Sequence, residues 1–161
     1  MIQCKVETVT FDEVSQMGVI LLEEINGKRV LPIWVGIFEA QAALFKIQNS
    51  FFPRPLTHDL LKDCIEQLNG HVEYVYLSKV EQNTYYAEIC ILRNNEKIII
   101  DSRPSDAVAL ALRFEAHIYV DEKILETNGI DKEEFLKQQK EKLYRLYLES
   151  VEDEDAGKLK H

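Results

Sequence analysis

The sequence predicts an α+β domain with mixed or antiparallel sheets, organised as an internal duplication of hairpin, strand and helix and followed by a C-terminal helix. Three observations support this. Runs rich in Val, Ile and Tyr occur in two similarly ordered sets. Asn-containing turn signals sit at the same place in each set. Each set then ends on an Ala/Leu-rich run that suits a helix.

In the first set, Val6-Glu7-Thr8-Val9 precedes the apolar run Val19–Leu22, an Asn26-Gly27 turn, a strand over Val30–Val35 and a helix opening at Glu39-Ala40-Gln41-Ala42. In the second, Val72-Glu73-Tyr74-Val75 precedes Tyr85–Leu92, an Asn94-Asn95 turn, the strand Ile98–Ile100 and a helix opening at Asp106-Ala107-Val108-Ala109. Asn and Gly suit tight hairpins because both tolerate positive φ. Between the sets, Pro53 and Pro55 forbid regular structure, and Thr57 is placed to cap a helix whose Leu60, Leu61, Cys64, Ile65 and Leu68 recur at helical spacing. Gly70 suits the position just past its end.

Further on, Ile118-Tyr119-Val120 reads as a strand and Asn128-Gly129 as a break. Asp131 with Glu134 then forms a capping pair for a charged helix reaching about Ser150, with an acidic cluster from Glu149 to Asp155 behind it. The expected division is a core domain over residues 1–129 and a helix with an acidic tail over residues 130–161.

A chain of 161 residues with 46% hydrophobic content can bury one sizeable core. No apolar run approaches the roughly 20 residues that cross a bilayer, and the N-terminus lacks the pattern of a secretion signal, so a cytoplasmic protein without a membrane role is expected. Cys4, Cys64 and Cys90 are widely spaced in apolar surroundings and read as buried free thiols. The net charge is −9, and residues 1–130 hold 12 Lys/Arg against 19 Asp/Glu. Gripping a nucleic-acid backbone by overall charge is thereby disfavoured, and such a role must rest on a local site or on bound cations.

The local site is sought at Asp101-Ser102-Arg103-Pro104-Ser105-Asp106, where an apolar strand hands over to a helix. Side chains converge at such a junction, and free helix N–H groups favour anions. Glu39 and Asp106 occupy matching first-turn places, where each either complements its helix dipole or takes part in chemistry. Asp101 and Arg103 have no such counterparts, since the first set holds Trp34 and Gly36 there. Two readings stand for them: a structural ion pair, with Arg54 as another partner for Asp101, or a specialised second copy.

His58-Asp59 follows Pro53-Arg54-Pro55 at a helix start, where His58 suits a general base, a metal ligand or a phosphate contact and Asp59 suits orienting it or sharing the metal, unless Thr57 and Asp59 merely cap the helix and His58 sits exposed. His71 and His117 stand alone beside apolar residues and read as fold residues. No Gly-rich phosphate loop, zinc spacing or nucleophile elbow appears. The chemistry left is phosphodiester cleavage with carboxylates holding magnesium or manganese and arginine neutralising phosphate.

The stretches Leu31-Pro32-Ile33-Trp34-Val35-Gly36-Ile37-Phe38-Glu39-Ala40, Pro53-Arg54-Pro55-Leu56-Thr57-His58-Asp59-Leu60-Leu61 and Ile100–Ala111 resemble the three hallmark blocks of the bifunctional nuclease family. They stand in the family's order, and the resemblance spans roughly residues 5 to 125. It implies a compact α+β domain that cleaves both DNA and RNA. The stretch from Leu148 to Asp155 with Lys158-Leu159-Lys160 resembles the beginning of a UVR motif, a helix-hairpin element also found in excision-repair proteins.

Chemistry rather than resemblance assigns the roles: His58, Asp101 and Arg103 catalytic, Arg54 and Arg103 on the phosphate, and Asp59, Asp101 and Asp106 on magnesium or manganese. The expected function is a nuclease acting on DNA or RNA. The alternative is a non-catalytic anion- or protein-binding regulatory module, with a protein partner on the C-terminal helix. A third reading is a purely structural homo-oligomer subunit, which needs only the hairpin edges and the terminal helix to pair.

Overall fold

The computed structural model describes residues 1–12, 14–142 and 144–145. Three antiparallel strands, β1 (Ile2–Asp12), β2 (Met17–Glu24) and β3 (Arg29–Val35), lead into helix α1 (Ile37–Ile47). After α2 (Thr57–Gln67) the pattern repeats: β4 (Gly70–Glu81), β5 (Thr84–Arg93) and β6 (Glu96–Ser102) form a second antiparallel meander leading into α3 (Pro104–Phe114). The duplication is therefore physical. Gly36 and Arg103 are the N-cap residues of α1 and α3, and Glu39 and Asp106 each stand three residues further on.

A short strand, β7 (His117–Val120), joins the halves. It runs parallel to β4 and antiparallel to β1, which makes one mixed sheet of eight strands in the order β6-β5-β4-β7-β1-β2-β3-β8. Helix α4 (Glu122–Asn128) and β8 (Ile130–Asp131) follow, with β8 pairing to the start of β3. A fifth helix, α5, opens at residue 132, and Asp131 Oδ1 accepts the N–H groups of Glu133 and Glu134, as the capping pattern predicted. Its foot is tied to the sheet by Lys132 on Glu23.

The core is one apolar cluster in which strand residues such as Ile20, Leu22, Val72, Val75 and Leu77 meet Ala40, Ala43 and α3. Helix α3 is the centre of this packing: nine of its 11 residues are buried, including Arg113. Its alanines let it lie close to both neighbours, α1 and α2, while touching β4 and β5. Gly18 serves α1 in the same way, because a Cβ there would meet the Ala40 Cβ at 2.2 Å.

Several expectations need correction. Asn94 and Asn95 take positive φ of 50° and 65°, as the tight-turn reading required, but Asn26-Gly27 lies in a wider loop without positive φ. That loop is closed by the paired hydrogen bonds of Arg29 to Glu24. Thr57 is not a cap: Leu56 holds that position, and Asp59 Oδ2 accepts the Leu56 N–H at 2.9 Å. At the other end Asn69, with φ 60°, takes the left-handed conformation expected of Gly70. Helix α4 was not foreseen, since its seven residues carry too few apolar positions for a period to show.

Of the three free cysteines only Cys4 and Cys90 are buried, while Cys64 faces outward. No helix among the described residues is long and apolar enough to cross a membrane. Leu143, Leu146, Tyr147, the acidic cluster and the UVR-like stretch lie outside the described residues.

Candidate functional site

Four chain segments wall a cleft of about 1210 Å³: the start of α1, the loop and first turn of α2, the β6–α3 junction, and the first half of β5. The duplication sets the first and third side by side, since α1 and α3 pack together. The prolines deliver the second, because Pro53 and Pro55 keep the chain out of helix, through a bend at Pro53-Arg54, until α2 begins at Thr57.

An ion-paired line crosses the cleft. His58 Nε2 lies 3.0 Å from Asp106 Oδ1. Arg103 donates from Nε to Asp106 Oδ2 at 2.6 Å and from a terminal nitrogen to Oδ1 at 3.1 Å, a two-pronged grip. The other terminal nitrogen donates to Glu39 Oε1 at 3.1 Å, so the first-turn carboxylates of both halves meet on one guanidinium. Three of the five Arg103 N–H donors are thus engaged and two remain. The Arg103 side chain is 64% exposed, whereas that of His58 is only 13% exposed. Burial by itself would raise the Asp106 carboxyl. The hydrogen bonds from Arg103 and His58, with the Arg103 charge, outweigh it and hold the group below its ordinary value of 3.8.

The remaining sequence candidates are not part of this line. Asp59 gives one oxygen to Arg113 at 2.5 Å and the other to the Leu56 N–H, beside a separate cavity of about 280 Å³. Arg113 also donates to the Ala42 and Ala109 carbonyls, so it knots α1, α2 and α3 together. Asp101 borders the main cleft, but strand alternation turns it to the sheet face opposite Ile100, level with Glu88 of β5. There Lys79, held protonated chiefly by Glu81, also feels its charge. Arg54 is exposed next to Pro55, outside the residues that line the cleft.

This dispersal bears on the expected magnesium or manganese. Among the described residues no three His, Cys, Asp or Glu side chains come together as a metal nest requires. Asp59 is committed to Arg113, both Asp106 oxygens are committed to Arg103 and His58, and Asp101, at the cleft border, shares its strand face with Glu88 rather than joining the other two. Asp59, Asp101 and Asp106 therefore do not fit a shared cation.

Glu39, which the sequence left between a helix-dipole role and a chemical one, is a direct partner of Arg103. Phe38, 78% exposed at the cleft mouth, escaped the sequence reading. Arg113 had a visible signal, an arginine at helical spacing inside an otherwise apolar Ala/Leu run.

Fold and cleft together define an α+β domain that presents a histidine, oriented by a carboxylate, next to an arginine with donors to spare. A family model described as the bifunctional nuclease domain matches residues 20–133, and the chain belongs to that family. An uncharacterised protein of Mycobacterium tuberculosis is 39% identical over 128 residues, covering 80% of this chain and 76% of the relative. Bifunctional nuclease 2 of Oryza sativa subsp. japonica is 28% identical over 122 residues, which are 74% of this chain but 38% of the rice protein. Bifunctional nuclease 2 of Arabidopsis thaliana is 25% identical over 116 residues, 70% of this chain and 35% of the plant protein.

Proposed function

We propose that the protein hydrolyses phosphodiester bonds of DNA and RNA in the cleft between α1, α2 and the β6–α3 junction. Membership of the bifunctional nuclease family supports the reaction class. The observation that carries the site is the His58–Asp106–Arg103 line, which combines a proton carrier, its orienting carboxylate and an anion-binding group in one opening.

Asp106 fixes His58 through Nε2, leaving Nδ1 to exchange a proton with the attacking water or the departing oxygen. Arg103 offers its two uncommitted N–H donors to a phosphate, while Glu39 and Asp106 hold the guanidinium plane in place. Arg54, on the proline-stiffened loop, meets the incoming polyanion outside the cleft. The acidic surface makes these local arginines the points at which a nucleic acid is received.

The test is cleavage of single-stranded RNA and DNA by purified protein with magnesium, with manganese and with chelator. His58→Ala and Arg103→Ala are expected to lose most of the activity. Either variant cutting at the wild-type rate rejects this site. The chelator arm decides whether a cation takes part.

A second reading has one observation in its favour. Arg103 is already neutralised by two carboxylates, as it would be in a regulatory module that exchanges an internal pair for a bound anion or a protein carboxylate. Phosphate binding that depends on Arg103, with no turnover of either nucleic acid, would select it.

A further inference from the structure

The sheet ends on β6 at one side and on β3, partly covered by β8, at the other. These equivalent strands are guarded unequally. In β3, Pro32 stands four residues before the N-cap Gly36 and removes one backbone donor, and β8 pairs with Arg29 and Val30. In β6 the residue four before Arg103 is Ile99, and no strand pairs with the outer edge among the described residues. Ile98, Ile99 and Ile100 are 41%, 51% and 44% exposed. An open edge with three consecutive exposed isoleucines is a template for pairing with another chain.

The charges around those isoleucines identify the other chain. Centred on Ile99, the strand reads Lys97, Ile98, Ile99, Ile100, Asp101. Set antiparallel against itself about that residue, it brings Ile98 opposite the partner's Ile100 and Lys97 opposite the partner's Asp101. A strand protected against its own copy would place like charges across this axis; here they are opposite.

Asp101 also lacks a cation of its own. It makes no ion pair among the described residues and lies level with Glu88, a like charge across the ladder. Lys97 rests on Glu73 at 2.9 Å, yet it is over half exposed and has three N–H donors to share.

We propose that two copies of this chain form a two-fold dimer by antiparallel pairing of their β6 strands at Ile99, merging both sheets into one. The pairing continues each cleft across the axis. Ile100 lines the cleft, and the partner's Ile98 would stand beside it on the same sheet face, extending its apolar wall. The proposal does not depend on the hydrolytic reading, since its readout is association.

Sedimentation equilibrium of the full chain is expected to show a monomer–dimer equilibrium. Ile99→Lys, which sets two ammonium groups at the axis, should weaken it at least tenfold with an unchanged circular dichroism spectrum. Lys97→Glu should do the same, and Lys97→Glu combined with Asp101→Lys should restore it. Cα atoms directly opposed on antiparallel strands lie about 4.5–5.5 Å apart, within disulfide reach. Cys90 stands directly opposite Ile99 on β5 and would compete for a new thiol, so Ile99→Cys in a Cys64→Ser, Cys90→Ala background should cross-link to a covalent dimer on oxidation, which tests the register even where Ile99→Lys fails to fold. A wild type that stays monomeric at every concentration, undiminished association of Ile99→Lys, failure of the charge swap to restore pairing, or absence of the cross-link would each overturn the proposal.

Discussion

The two halves of the duplication place the same backbone to different use. Helix α1 starts from Gly36 and buries only Ala40 and Ala43, so it lies on the domain as a cover. Helix α3 starts from Arg103 and is buried over nine of 11 residues, so whatever it carries is held in a fixed position. The difference extends along both helices. Ten residues after its N-cap, α1 has Lys46, while α3 has Arg113 tied to Asp59 and two carbonyls. One half therefore provides the rigid mount for the charged groups, and the other contributes Glu39 and the exposed Phe38 from the opposite wall. Duplication supplies the frame, and divergence at the strand-to-helix junction supplies the Arg103–Asp106 pair that the first half lacks.

If the second half carries the chemistry, the largest effect falls at the line anchored on α3. His58→Ala should reduce the cleavage rate by about 10²–10⁴, the usual contribution of a positioned acid or base. Steady-state cleavage of a fluorescent oligonucleotide measures it. Arg103→Gly, which makes the second junction resemble the first, should also abolish most activity. Retention of activity in both variants would remove the functional distinction between the halves.

The next effect is on stability. Arg113→Ala should cost about 3 kcal/mol, because it leaves two carbonyls and the Asp59 carboxylate short of a donor in a largely buried knot. Lys46→Ala at the matching place in α1 should cost less than about 0.5 kcal/mol. Urea unfolding of the two variants side by side gives the comparison directly.

A smaller effect is expected in acid. Burial raises the Asp59 and Asp106 carboxyls, but hydrogen bonds from Arg113 and the Leu56 N–H to the first, and from Arg103 and His58 to the second, pull both below 3.8. Their folded values are lower than their unfolded ones, so the stability they add is present above that pH and is lost as pH falls through the lower folded values. Asp106→Asn should flatten the acid limb of a stability profile measured by urea midpoints, and an unchanged limb would refute the linkage.

The smallest effect belongs to the first half. Glu39→Gln removes one exposed contact to Arg103, worth roughly 0.2–1 kcal/mol, and should change the cleavage rate by only a few fold.

Much of the frame was legible in the sequence. The Val/Ile-rich runs and Asn turns mark two meanders because strand preference and positive φ are local properties, written residue by residue. The strand-to-helix junctions and the matching of Glu39 to Asp106 followed from the same local order. The cap at Leu56 and the left-handed Asn69 were less legible, since each depends on how a turn closes rather than on which residues flank it.

What the amino-acid order settled by itself was therefore the duplicated α+β architecture, the family it belongs to and the place where charged side chains meet a helix start. Only the folded chain decided which of those side chains share a space. His58 and Asp106, 48 residues apart, meet because α2 and α3 pack together, whereas the adjacent Asp59 turns the other way to Arg113. Asp101 and Arg103 stand two residues apart and both border the cleft, but Asp101 belongs to β6, level with Glu88, whereas Arg103 caps α3 and grips Asp106. The physical reason is that periodicity fixes the face a residue takes on its own element, while packing between elements fixes what that face confronts.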